Sequence, residues 1–129
     1  NEPASPDSTE EQRSKLAREV MSIMEQWRLA VEDQKSLLGL NEKGAGRALA
    51  KYRSGYAMPD DELLLERCRH IIGIHNSFHL LYPRNPNAPR QWLKTKNRHF
   101  APSPLAVMLD EGINGMRRVW HNLDCTSQW

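Results

Sequence analysis

The sequence lacks the patterns that identify membrane, secreted and disulfide-bonded proteins. No apolar run approaches the roughly 20 residues that a transmembrane helix needs, and the first residues show no charged-then-apolar signal pattern. The two cysteines, Cys68 and Cys125, have neither CxxC nor Cys/His zinc spacing. We therefore predict a cytoplasmic protein with free thiols, in which Cys68 is buried as a small hydrophobic side chain.

The sequence motifs of common enzyme classes are also missing. No serine stands in a glycine-framed strand-to-helix turn, and there is no phosphate-cradling glycine loop or dinucleotide fingerprint. His75 and His79 have the i, i+4 spacing that can place two imidazoles on one side of a helix, but no further residue completes a zinc site. We favour His75 as a hydrogen-bonded core or boundary histidine. The prediction is a protein without enzyme activity, cofactor or bound metal.

Length and charge set further bounds. The chain has 129 residues, of which 39% are hydrophobic and 26% charged, enough for one domain with a hydrophobic core. A net charge of +2 is too small to indicate a class of partner. Binding to nucleic acid would require the basic residues to cluster on one surface.

No segment alternates with the period of a strand, so the sequence predicts an all-α fold, a compact bundle around a long central helix. The central helix is expected over Asp60–Tyr82, closed by prolines. Its polar residues His70 and Ser77 are expected on the side away from the core. The predicted inward stripe is Leu64, Cys68, Ile71, His75, Phe78 and Tyr82.

The predicted helices and turns divide the chain into three parts, of which the second and third form one compact domain. Residues 1–8 are predicted to be a flexible tail. Residues 9–58 are predicted to form helix-turn-helix-like N-terminal helices: one capped by Ser8 or Thr9, then Ala30–Leu40 and Glu42–Arg53. Residues 59–129 hold the central helix and short C-terminal helices. The C-terminal helices are expected over Ala88–Thr95, from Ser103-Pro104 to Gly112, and over Ile113–Leu123, before a short tail Cys125–Trp129.

The third helix carries basic residues on its outer side. They suit a recognition helix that contacts DNA. The equally weighted alternative is a helical hairpin whose basic residues only solvate a face. The residues are Lys43, Arg47, Lys51 and Arg53.

The last third combines large aromatic residues with arginines and amides, the residue types that anchor protein interfaces. The alternative, which we weigh evenly, is that tryptophans such as Trp92 and Trp120 fill the core. Phe100 and Trp129 are expected to be the exposed anchors.

Short motifs along most of the chain occur in an order that resembles one antitoxin family. Over about residues 27–123 they look like the Xre/MbcA/ParS-type antitoxins, and the number and order of the motifs make the resemblance specific. The motifs are Trp27–Leu40 (WRLAVEDQKSLLGL), Leu65-Glu66-Arg67, Ile72-Gly73-Ile74-His75, Leu80-Leu81-Tyr82-Pro83, Trp92-Leu93, Asn97, Phe100, Ser103-Pro104-Leu105, Met108-Leu109, Gly112, Val119 and Leu123.

The resemblance implies a helical bundle whose C-terminal part binds a toxin. The implied partner is a RES-type, ADP-ribosyltransferase-like bacterial toxin that consumes or transfers from NAD, whose active site the antitoxin would block. The resemblance also implies a homodimer that represses its own operon through a helix-turn-helix. Relatives carry an arginine-tryptophan pair in the third helix where this chain has Lys51-Tyr52-Arg53, so toxin binding is better supported than DNA binding.

Our first hypothesis is therefore a toxin-facing surface in the C-terminal region. Arginines there can occupy the toxin's site for the cofactor phosphates through paired hydrogen bonds. The alternative is a helix-turn-helix regulator without a toxin partner. The residues predicted to face the toxin are Asn97, Arg98, Phe100, Arg117, His121 and Trp129.

Overall fold

The computed structural model describes residues 9–127, and within them the chain is entirely helical apart from its connections. This confirms the all-α prediction. None of these helices combines the length and apolar composition that a bilayer crossing requires. The predicted tail at residues 1–8 and the anchor Trp129 lie outside the described residues. The helices are α1 (Glu10–Gln26), α2 (Val31–Leu37), α3 (Ala45–Arg53), α4 (Glu62–Leu81), α5 (Ala88–Leu93), α6 (Pro104–Glu111) and α7 (Ile113–Ser127).

Local capping signals fix several helix ends where the sequence places them. The Thr9 side chain accepts a hydrogen bond from the Gln12 backbone N–H and begins α1. Ser103 caps α6 in the same way, with Pro104 in the first turn, and Gly112 ends that helix at a φ of 65°. These three predictions are confirmed because each depends on residues within one helical turn.

The central helix α4 packs against α1, α5 and α7 and carries much of the core. Asp61 caps it by accepting from the Leu64 backbone N–H at 3.1 Å. Cys68 is fully buried as predicted, with its Sγ 3.3 Å from Sδ of Met58. Burial raises the pKa of the Cys68 thiol to about 12, so this thiol stays protonated.

The predicted polar side of α4 is wrong at two positions. His70 and Ser77 are buried, 8% and 3% exposed, because α7 lies over them. The His70 ring meets the Trp120 ring edge-on at 5.2 Å, and Ser77 Oγ donates to Asp124 Oδ1 at 2.6 Å. His75, predicted to face inward, is only half-buried.

Gly73 sets the close approach of α4 and α7. A Cβ at this position would lie 2.1 Å from the Trp120 indole, so only glycine admits the ring. Glu66 contacts Arg117 at one end of the interface, and Ser77 contacts Asp124 at the other. Residue numbers rise together on both helices, so α4 and α7 run parallel.

The helix-turn-helix-like part differs from the predicted outline. Helix α3 begins at Ala45 instead of Glu42, because Gly44 holds a left-handed φ of 93° where Asn41 was the expected cap. The connection from α2 is therefore residues 38–44, longer than the expected tight turn. Helix α7 instead runs past its predicted end at Leu123 and takes in Cys125, which was expected in a tail.

Candidate functional site

The loop that follows α5 presents Arg98 at its tip. The Asn97 side-chain oxygen accepts from the backbone N–H groups of His99 at 2.7 Å and Phe100 at 3.1 Å. The Asn97 backbone N–H also donates to the Phe100 carbonyl. Asn97 is thus occupied in holding the turn, whereas Arg98 is exposed. Of these two predicted toxin contacts, only Arg98 has a side chain available to a partner.

Phe100 is buried, 3% exposed, which contradicts the prediction of an exposed anchor. Its ring meets Trp92 edge-on at 6.1 Å, and Trp92 meets Phe78 of α4 at 5.4 Å. These edge-to-face contacts join the loop to the core. Trp92 is partly buried against the core, as the core-filling alternative expected.

Arg118 joins the loop to α7, a contact that the sequence prediction missed. Its guanidinium carbon lies 5.5 Å from the Phe100 ring centre, and one guanidinium nitrogen donates to both Glu111 carboxylate oxygens at 2.8 Å. Glu111 ends α6 and Arg118 lies in α7, beyond the turn at Gly112, so helical spacing gave no signal for this contact.

Arg117 and His121 are four residues apart and share a different side of α7, where Arg117 lies next to α4. Arg117 approaches Glu66 at 3.5 Å and donates to Asn114 Oδ1 at 3.2 Å, while 59% of its side chain remains exposed. The exposed His121 ring lies 3.5 Å from the Cys125 sulfur. The predicted toxin-facing residues within 9–127 therefore form two groups, one on the loop and one beside α4.

A groove of about 480 Å³ runs between α1, α4 and α7. The Arg117–Glu66 pair lies one helical turn before it, since Trp120 and Arg69 follow those residues by three positions. Trp120 is partly buried and forms part of the wall. Charges of both signs and an aromatic ring therefore meet in one concavity. The lining residues are Gln12, Lys15, Leu16, Glu19, Arg69, Ile72, Gly73, Asn76 and Trp120.

The four residues predicted to contact DNA differ in whether their charge is paired within the protein. Arg47 and Lys51 are exposed and lie four residues apart within α3, so they share one side of that helix. Lys43 is also exposed, but it precedes α3 and the left-handed Gly44. Arg53 is also exposed but turns to Glu25, whose carboxylate lies 3.9 Å from its guanidinium. We call Arg47 and Lys51, together with the exposed Lys43 just before the helix, the basic row of α3.

The histidine pair on α4 shows limited metal-binding capacity. The ring centres of His75 and His79 are 6.5 Å apart, and residues 9–127 contain no group of three or more side chains suited to hold a metal ion. Burial lowers the pKa of His75, and the neighbouring His79 lowers it further. His75 therefore favours the neutral form, with its Nδ1 buried and unpaired among the described residues.

No protein-family model matches the chain, and no curated protein matches it.

Proposed function

We propose that this chain is a non-catalytic antitoxin that binds an NAD-consuming or ADP-ribosylating toxin of the RES type and blocks its active site. The proposal joins the order of sequence motifs to one structural observation. Arg117 is exposed, pairs within the described part of the chain with the partly buried Glu66 and with Asn114, and lies next to the groove that contains Trp120. A homodimer and a bacterial cytoplasmic location belong to the same proposal.

The chemistry of this surface suits a protein partner. Arginine and tryptophan are the side chains most often responsible for binding energy at interfaces. Because the Arg117 side chain is 59% exposed and 3.5 Å from Glu66, the contact contributes little to folding, and Arg117 can exchange Glu66 for a partner group at small cost. In the toxin, a guanidinium would occupy the phosphate-binding part of the NAD site through paired hydrogen bonds.

The test is co-purification with the protein encoded next to this one, followed by an NAD-consumption assay with and without the antitoxin. We expect a stable complex that stops NAD loss. Arg117→Glu should weaken the complex about 10-fold or more while the protein stays folded. Unchanged toxin affinity of the folded variant would remove Arg117 from the interface.

Arg118→Glu is the matched comparison, because it reverses a charge on the neighbouring residue of the same helix. Arg118 faces Phe100 and Glu111 instead of α4. A larger loss of toxin affinity in Arg118→Glu than in Arg117→Glu would place the toxin on the loop side of α7. A neighbour that neither binds nor touches NAD would end the antitoxin proposal.

The basic row of α3 supports a second function, binding of operator DNA. Arg47 and Lys51 are exposed on one side of α3, and Lys43 is exposed just before it, so their charges are available to phosphates. We expect operator affinity to fall steeply with added salt, and Arg47→Glu to reduce that salt dependence by about 0.9 in the log–log slope for each lost phosphate contact. Absence of sequence-selective binding in dilute salt would count against this function.

A further inference from the structure

The charge of the chain is distributed very unevenly. Between Glu66 and Asp110 the sequence contains no aspartate or glutamate, although the whole chain has 16 acidic and 18 basic residues. Several of the basic residues in this stretch flank α5. We call four of them the α5 rim: Arg84, Arg90, Lys94 and Lys96.

The α5 rim retains its positive charge in the folded protein. Among residues 9–127 no carboxylate lies within ion-pair distance of these four side chains. The partners they do have are neutral: Arg90 donates to Asn87 Oδ1 at 2.6 Å, and Lys94 Nζ donates to the Arg28 carbonyl at 2.8 Å. The rim therefore has a local potential that attracts anions.

The rim residues alternate along the chain with the residues that line a groove of about 290 Å³, which we call the α5 groove. Tyr82 forms one part of its wall and is 41% exposed. Trp92 forms another part, held by edge-to-face contacts with Phe78 and Phe100. The remaining lining is small or amide-bearing, namely Asn85, Ala88, Gln91 and Thr95.

We propose that the α5 groove binds single-stranded nucleic acid, with a base against Tyr82 and Trp92 and the flanking phosphates on the α5 rim. Aromatic faces beside cationic side chains that have no carboxylate partner are the combination that unpaired bases and their backbone require. The side-chain amides of Asn85 and Gln91 can donate to and accept from a base edge. A duplex keeps its bases stacked on one another, so it has no free base face to stack on Tyr82 or Trp92.

This surface is separate from those proposed for toxin and operator. None of its rim residues is Lys43, Arg47, Lys51, Arg117 or His121. Arg98 borders it but was assigned to the toxin-facing loop, so Arg98 is left unchanged in the test. Failure of the antitoxin proposal would therefore leave this one standing, and the reverse also holds.

The experiment is fluorescence anisotropy of the full chain with labelled oligonucleotides of about 12 nucleotides, a length within the usual site size. Single-stranded RNA, single-stranded DNA and a duplex of the same sequence are compared. We expect both single strands to bind more tightly than the duplex. A preference between RNA and DNA would identify which single strand is the ligand, whereas duplex binding as tight as single-strand binding would contradict the proposal.

The variant that tests stacking is Tyr82→Ala, with Tyr82→Phe to restore the ring. We expect Tyr82→Ala to weaken single-strand binding about 5- to 100-fold and Tyr82→Phe to recover it. Tyr56→Ala is the matched control, since Tyr56 is 62% exposed but lies near Glu10 and Glu11. Equal affinities of folded Tyr82→Ala and Tyr56→Ala would overturn the assignment of the groove.

A second variant tests the rim without touching any packed side chain. Arg84 and Lys96 are exposed, so Arg84→Glu combined with Lys96→Glu should leave the fold intact. The salt dependence of single-strand binding should become shallower by about 0.7 in the log–log slope per lost contact. An unchanged slope, or displacement of the oligonucleotide by polyglutamate at equal charge concentration, would show that the groove does not recognise nucleic acid.

Discussion

The interface between α4 and α7 and the loop after α5 bury side chains for different reasons. At the interface, a whole helix covers α4, so even Gly73 and Ser77 are buried. In the loop, burial is decided residue by residue. Phe100 is buried between separate neighbours, while Arg98, two positions earlier, is exposed.

This difference separates two kinds of substitution. Changes at the α4–α7 interface alter packing along a continuous surface and should appear as lost stability. Changes in the loop should divide sharply, with a large stability loss at Phe100 and almost none at Arg98.

Phe100→Ala should have the largest effect, a loss of about 3 kcal/mol or more in the free energy of unfolding. The substitution removes a buried ring that contacts Trp92 and lies under Arg118. Denaturant unfolding measures it, with Arg98→Ala as the control in the same loop, expected within about 0.5 kcal/mol of the wild type. Similar values for the two variants would mean that Phe100 is not part of the core.

Gly73→Ala should destabilise the protein by about 1–3 kcal/mol through overpacking. The added methyl group would meet the Trp120 indole, and the ring or the whole of α7 has to shift. Gly46→Ala is the matched control, because its Cβ meets nothing closer than 3.9 Å and alanine favours the helix by roughly 1 kcal/mol. A Gly73→Ala protein as stable as the wild type would contradict the close contact of the two helices.

Ser77→Ala should cost about 1–2 kcal/mol, because it removes a hydrogen bond of Asp124 inside the α4–α7 interface. Ser54→Ala is the control, since Ser54 is exposed just after α3. The same denaturant experiment distinguishes them. Equal stabilities would show that Asp124 replaces the lost partner without loss.

His75→Gln should make the free energy of unfolding less sensitive to acid, an effect smaller than those of the three substitutions above. Because the pKa of His75 is lowered from 6.5 in the folded protein, the unfolded chain binds the proton more readily. Stability should therefore fall as pH drops below about 6.5 in the wild type and fall less in the variant. Unfolding curves from neutral to mildly acidic pH measure the difference, and parallel pH profiles would contradict it.

The same contrast explains how far the sequence predicts the molecule. Caps such as Thr9 and Ser103 were predicted because their partners lie within four residues. The burial of His70 depends on Trp120, fifty positions away, and no periodicity within α4 contains that information. The prediction that Phe100 is exposed was wrong for the same reason, since its neighbours come from α5 and α7.

The candidate surfaces were predictable to different degrees. The shared side of Arg47 and Lys51 follows from helical spacing alone, and the structure keeps both exposed. Lys43 falls before α3, so spacing does not place it. The α5 groove depends on bringing Tyr82, from the end of α4, beside Trp92 of α5. Spacing does not supply such a juxtaposition, because the connection between the two helices has no regular geometry.

Arg117→Gln should have the smallest effect on stability, below about 1 kcal/mol, because the Arg117–Glu66 pair is exposed and screened by solvent. Thermal or denaturant unfolding checks this on the free protein. Toxin binding by the same sample should nevertheless weaken, since the guanidinium is proposed to bind the toxin. Intact stability with lost affinity would assign Arg117 to toxin recognition. A large loss of stability would instead show that Arg117, like Ser77, helps to hold the α4–α7 interface together.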